Sequence, residues 1–265
     1  MDNDARNRLL AQLRAAAKVH LDEMNHERER AIEKMQAPGA NDDAKILLDY
    51  LIQSDNELLR PLAASRLSEI GGQDVVSELV ILLETDLADD VIVLILQVLA
   101  EIGDESIFPA LIKQLDQNNH SDVRRRAVLA LGKTGGQEAF DALMDALDSE
   151  SDLRVRQQVI EALGWLGNDN CVPDLVQIMQ TDPDKETQTF AAEALGRLGS
   201  EKCLIPLMDT LEDKKHKPIV RYYAAHALGL LGNEQAVGLL QTVANDPDEH
   251  GWVVQMASES LERFA

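Results

Sequence analysis

Apolar residues recur at steps of four along most of the chain. One such stripe, Val123, Ala127 and Leu131, returns as Val155/Val159/Leu163, Thr187/Ala191/Leu195 and Val220/Ala224/Leu228. Steps of four place these positions on one side of an α-helix, here termed A. A second set follows in register: Leu47, Leu79, Leu111, Leu143, Leu175, Leu207 and Leu240, joined four residues later by Leu51, Leu83, Leu115, Leu147, Met179, Leu211 and Ala244. This set predicts a second amphipathic helix, B. Between A and B stands a glycine each time, at Gly39, Gly71, Gly103, Gly135, Gly167, Gly199 and Gly232, with successive spacings of 32, 32, 32, 32, 32 and 33. A fixed period of this length marks helix–turn–helix modules that bury their apolar faces only by stacking on one another.

The punctuation agrees with the period. A glycine at the end of A accepts a left-handed backbone without a Cβ penalty. Pro109, Pro173 and Pro206 are expected at the start of B helices, where a missing N–H costs least. Gly132, Gly164, Gly196 and Gly229 lie inside A, three residues before the turn glycine. Each costs a helix about 1 kcal/mol relative to alanine, so their recurrence predicts close approach of neighbouring helices. Three regions follow: residues 1–38, a long amphipathic capping helix with the first A element; 39–252, the repeat array; and 253–265, a C-terminal capping helix.

Segments such as Ser121-Asp122-Val123-Arg124, Glu193-Ala194-Leu195-Gly196-Arg197-Leu198-Gly199 and Ala224-Ala225-His226-Ala227-Leu228-Gly229 resemble the HEAT-like repeat family named after phycobilisome (PBS) lyases, over about residues 39–265. The resemblance implies an all-α fold, a right-handed α-solenoid (α-α superhelix) of HEAT-like repeats of about 32 residues, with B helices on its concave side. It also implies a range of functions: interaction scaffolds, bilin lyase subunits, and accessories in iron or iron–sulfur homeostasis.

Charge narrows the partners. With 47 Asp and Glu against 25 Lys and Arg, the net charge is −22. The strongest basic run is Arg124-Arg125-Arg126, far short of the stripe that nucleic acid requires, so none is expected as a partner. No apolar run approaches the ~20 residues of a membrane span. The charged start Met1-Asp2-Asn3-Asp4 and the presence of 2 cysteines set the expectation of a cytoplasmic protein without disulfides.

Candidate chemistry is sparse. Arg60, Arg124, Arg156 and Arg221 open four of six A helices, with Ile92 and Gln188 at the other two, and read as a structural ladder to acceptors such as Asp86, Asp122, Glu150 and Asp182, with an anion-binding row as the alternative. Cys171 and Cys203 stand at equivalent positions that hold Val75, Ile107, Ala139 and Ala236 elsewhere, which makes them core residues. Among the histidines, His26-Glu27 alone forms the dipeptide of a diiron site, outside the regular array. No metal site, catalytic residue or cofactor is expected.

Surface positions carry more. Ten and thirteen residues after the turn glycine, B reads Ile81/Glu84, Lys113/Asp116, Asp145/Asp148, Gln177/Gln180, Asp209/Glu212 and Thr242/Asn245, an acidic wall suited to a basic or amphipathic protein. Aromatic residues gather late in the chain at Trp165, Phe190, Tyr222, Tyr223 and Trp252, and Phe190 and Tyr223 replace Arg126 and Gln158 at the same A-helix position. Exposed aromatics of this kind mark contact sites. The expected function is therefore a non-enzymatic scaffold or assembly accessory, contacting its partner through Glu84, Asp116, Asp145, Asp148, Asp209, Glu212, Trp165, Phe190 and Tyr223. The alternative implied by the resemblance is a bilin lyase-like subunit binding a phycobilin through Arg221, Tyr222 and Tyr223.

Overall fold

The computed structural model describes residues 40–53 and 59–264. The expected long N-terminal helix, His26-Glu27 and the turn at Gly39 lie outside them. Among the described residues there are α-helices and short 3-10 turns and no strands. The chain divides between Val98 and Leu99 into two compact units.

In the first unit, α1 (Ala40–Gln53) packs on α2 (Leu59–Ile70), and α3 (Gln73–Leu82) follows across Gly71 and Gly72. Leu47, Leu51, Leu67, Val75 and Leu79 are buried, as the four-residue stripes require. Helix α4 (Asp89–Ile102) leads across the division.

The second unit is an α-solenoid of paired helices: after α5 (Phe108–Lys113) come α6 (Ser121–Thr134) with α7 (Gln137–Ser149), α8 (Leu153–Leu166) with α9 (Val172–Thr181), α10 (Lys185–Leu198) with α11 (Glu201–Glu212), and α12 (Pro218–Leu231) with α13 (Val237–Ala244). Helix α14 (Gly251–Leu261) ends the row. A helices stack on A helices in the order α6, α8, α10, α12, α14. Their stripes are fully enclosed: Val123, Ala127, Val159, Leu163, Ala191, Leu195, Ala224 and Leu228 expose at most 0% of their surface. Thr187 sits equally deep because its hydroxyl is satisfied: it donates to Asp184 Oδ2 at 2.9 Å and accepts from Gln157 Nε2 at 3.1 Å.

The turn glycines behave as expected; Gly167 and Gly199 end their helices at φ of 71° and 63°, where a side chain would be strained. The internal glycines are close-approach points. A Cβ built on Gly132 would stand 2.9 Å from Ala162 Cβ, and one on Gly164 would stand 2.8 Å from Ala194 Cα. Pro109 and Pro173 lie in the first turn of α5 and α9. Pro206 departs from expectation and lies inside α11. Where α9 is preceded by a separate 3-10 turn, Asp169–Cys171, the corresponding residues Glu201–Cys203 join α11 directly, so the helix begins earlier than the proline.

Candidate functional site

The expected arginine row faces inward. Arg124 Nε and Nη2 each donate to the Glu150 carboxylate at 2.8 Å, and Nη1 donates to the Asn119 carbonyl at 2.6 Å. Arg156 donates to Asp182 at 2.7 Å. Arg221 donates to both Glu249 oxygens at 2.6 Å and to the Leu211 carbonyl at 2.7 Å. In the first unit Arg60 pairs with Asp90. Arg124, Arg156 and Arg221 thus tie the start of an A helix to the loop entering the next one, Arg60 reaches the first turn of α4 instead, and the loop acceptors also hold their loops: Glu150 accepts from the Asp152 amide at 2.7 Å and Asp182 from the Asp184 amide at 2.9 Å. Two of the expected acceptors are replaced. Asp90 takes the place of Asp86, and Asp122 instead pairs with Arg125 at 3.2 Å on its own helix, because a residue three along a helix is already within reach.

Burial opposes ionisation of Glu150 and Glu249, but hydrogen bonds from Arg124 and Arg221 and from backbone amides outweigh it and hold both carboxyls below the ordinary range. Arg221 is only 4% exposed in this pair. Cys171 and Cys203 are free thiols in the core, pushed up to about 12 and about 11 by burial, which makes them unreactive. Among the described residues no group of three or more His, Cys, Asp or Glu side chains is placed to hold a metal ion, and no helix is long and apolar enough to cross a membrane.

The acidic positions separate into two kinds. Glu84 and Asp116 lie beyond the ends of α3 and α5, in turns, where the Asp116 carboxylate accepts from the Asn118 amide at 2.8 Å. They belong to turns and not to a helical wall. Asp145 and Asp148 on α7 and Asp209 and Glu212 on α11 are all exposed and hold the same register. None of these four has an ion-pair partner among the described residues. Neither helix carries a basic residue in its last turn, where Asp148, Asp209 and Glu212 stand.

The aromatic residues are likewise split by the stacking of A helices. Trp165 on α8 is 64% exposed and lies beneath the Arg197 guanidinium, 4.3 Å from its ring centroid. Phe190 is half-buried in a polar groove with Arg125, Arg154 and Glu161. Tyr222 and Tyr223 of α12 meet edge to face at 5.4 Å and, with Trp252 of α14, line a groove of 540 Å³ that also includes Glu193, His226 and Gln255. Trp252, Glu193 and His226 are missing from the expected site set. Their signal is positional: Glu193 and His226 stand at matching places in α10 and α12, and Trp252 opens α14 where Ile219 stands in α12.

The family model described as HEAT repeats matches residues 81–164 and 151–219, more than half of the 265 residues. The model described as PBS lyase HEAT-like repeat matches residues 220–246, which include Tyr222, Tyr223 and His226. Among solved structures, the complex of CpcE and CpcF of phycocyanin lyase from Nostoc sp. PCC7120 is similar at 22% identity and a TM-score of 0.50, over 85% of this chain and 88% of that one. Human deoxyhypusine hydroxylase in complex with glycerol aligns at 17% identity and a TM-score of 0.44, over 85% of this chain and 96% of that one. No curated protein matches.

Proposed function

The chain belongs to the HEAT-repeat family, and from that footing we propose that it is a non-enzymatic scaffold that holds a basic partner protein against the B-helix face of its second unit. One observation carries this reading. Glu150, Asp182 and Glu249 are enclosed and paired with arginines, whereas Asp145, Asp148, Asp209 and Glu212 are exposed and unpaired at matching register on α7 and α11. The fold gains nothing from that arrangement. Like charges three residues apart on a helix cost about 0.2–0.5 kcal/mol per pair, and acids in a last turn oppose the helix dipole by about 0.3–1 kcal/mol each. A surface charged against its own stability suits recognition of the opposite charge, with steering of the encounter as the gain.

The test is affinity capture from lysate with the native chain and with the fourfold variant Asp145→Lys, Asp148→Lys, Asp209→Lys, Glu212→Lys, each at low and high salt. The expected result is a partner whose retention falls as salt screens the contact and disappears with the variant. Retention of the same partner by the variant would rule this face out.

A second reading is favoured by the PBS lyase HEAT-like match across Tyr222 and Tyr223, which line the aromatic groove. In it the chain is a lyase-like subunit that receives an open-chain tetrapyrrole against Tyr222 and Tyr223, with Arg221 behind them. Titration with phycocyanobilin distinguishes the two: a shifted absorbance band lost in Tyr223→Ala supports the second reading, and an unaltered spectrum dismisses it.

A further inference from the structure

The second unit already shows an aromatic ring holding a cation. Between α8 and α10, the Arg197 guanidinium lies 4.3 Å over the Trp165 ring, with Glu161 at 3.9 Å and Glu193 at 4.0 Å from its nitrogens. An aromatic face flanked by carboxylates thus already holds an arginine on this side of the A helices. The attraction is that of a cation for the negative face of a π-system, strengthened by nearby anions.

Rings and a carboxylate also meet in the groove of α12 and α14, nearer the N-terminal ends of these helices. Tyr222, Tyr223 and Trp252 present three rings, and Glu193 sits on the rim. Glu259 acts electrostatically on both Tyr222 and His226, and Arg263 opposes it at His226. Burial, aided by Arg263, lowers the affinity of His226 for a proton and so favours its uncharged imidazole. The rings are held for use: Tyr222 and Tyr223 brace each other at 78°, and Trp252, 61% exposed, leans on His250 with centroids 5.1 Å apart.

We propose that the groove between α12 and α14 receives an arginine side chain from a basic segment of the partner protein, bound against Tyr222, Tyr223 and Trp252 with Glu193 on its rim. This rests on the scaffold reading and adds to it a specific anchor on the A-helix side. The chain's net charge of −22 favours such a segment over an acidic or neutral one.

The probe is the peptide acetyl-Gly-Arg-Gly-amide and its citrulline analogue, which keeps the shape and removes the charge. Each is titrated into the full-length ¹⁵N-labelled chain at 150 mM NaCl. The expected result is a saturable shift of the Trp252 indole N–H and the Gln255 side-chain amide with the arginine peptide, and binding at least about fivefold weaker with citrulline. Trp252→Leu, read at Gln255, and Glu193→Gln, read at Trp252, should each weaken the arginine peptide about three- to tenfold, and Arg263→Gln should tighten it. Trp252 is mostly exposed, so its replacement leaves the fold in place, which circular dichroism confirms. Equal binding of the two peptides, the absence of a saturable shift, or shifts confined to the surroundings of Asp145 and Asp209 would overturn the proposal. None of these touches the scaffold reading, which stands or falls by capture with the fourfold lysine variant.

Discussion

Replacing Gly132 with alanine sets two effects of known sign against each other. Alanine is the better helix former by about 1 kcal/mol. The new methyl, however, would lie 2.9 Å from Ala162 Cβ, against the roughly 3.5–4.0 Å that carbon atoms prefer. Helices α6 and α8 must separate by several tenths of an ångström along their whole contact, and forced overpacking of this kind costs about 1–3 kcal/mol. Gly132→Ala should therefore destabilise by about 1 kcal/mol net, read as a lowered urea midpoint by circular dichroism. The reciprocal change tests the cause. In Gly132→Ala/Ala162→Gly the methyl is moved across the interface, the next obstacle is Ala162 Cα at 3.4 Å, and the midpoint should return close to that of the native chain. The same exchange at Gly164 and Ala194 should fail, because there the obstacle includes backbone, Ala194 Cα at 2.8 Å. Gly238→Ala in α13, with nothing within 4 Å of the added methyl, should stabilise by about 0.4–1 kcal/mol. If Gly132→Ala stabilises as Gly238→Ala does, close helix approach is not the reason for the internal glycines.

The arginine ladder yields further expectations. Arg124→Leu strands the enclosed Glu150 carboxylate and should cost about 3–5 kcal/mol by urea denaturation, while Arg124→Leu/Glu150→Leu should recover most of that loss. Glu150 and Glu249 have folded-state affinities for protons below the ordinary value of 4.5, so their stabilisation is complete above that pH and is lost as pH falls through the lowered values. A midpoint-against-pH profile should drop below about pH 4.5, and Glu150→Gln, less stable at pH 7, should show a shallower drop. His250 caps α14 through an Nδ1 that accepts from the Trp252 amide at 3.3 Å, where α8 uses Asp152, accepting from the Arg154 amide at 2.9 Å. His250→Asp should raise the midpoint by the equivalent of about 0.5–1 kcal/mol.

What the residues disclose before folding depends on whether a property is local. The period, the buried stripes and the role of Gly132 follow from spacing along one helix, and they hold. Pro206 and Asp116 were misplaced because helix ends depend on whether a 3-10 turn stays separate from the helix after it, as at Asp169–Cys171 but not at Glu201–Cys203. The pairing of Arg60 with Asp90 and not Asp86 reflects the path of a loop, which four-residue spacing does not describe. The aromatic residues form separate features for a similar reason. Trp165 is covered by Arg197 while Trp252 shares a groove with Tyr222, and that assignment depends on how each A helix lies on the next.

The central claim is that Asp145, Asp148, Asp209 and Glu212 serve recognition at the expense of the fold. The urea midpoint of the fourfold lysine variant tests it most directly. Lysines in the last turns of α7 and α11 complement the helix dipoles, so the midpoint should rise, by about 0.3–1 kcal/mol for each terminal position. A lowered midpoint would mean that these carboxylates hold the structure together, and would contradict the account.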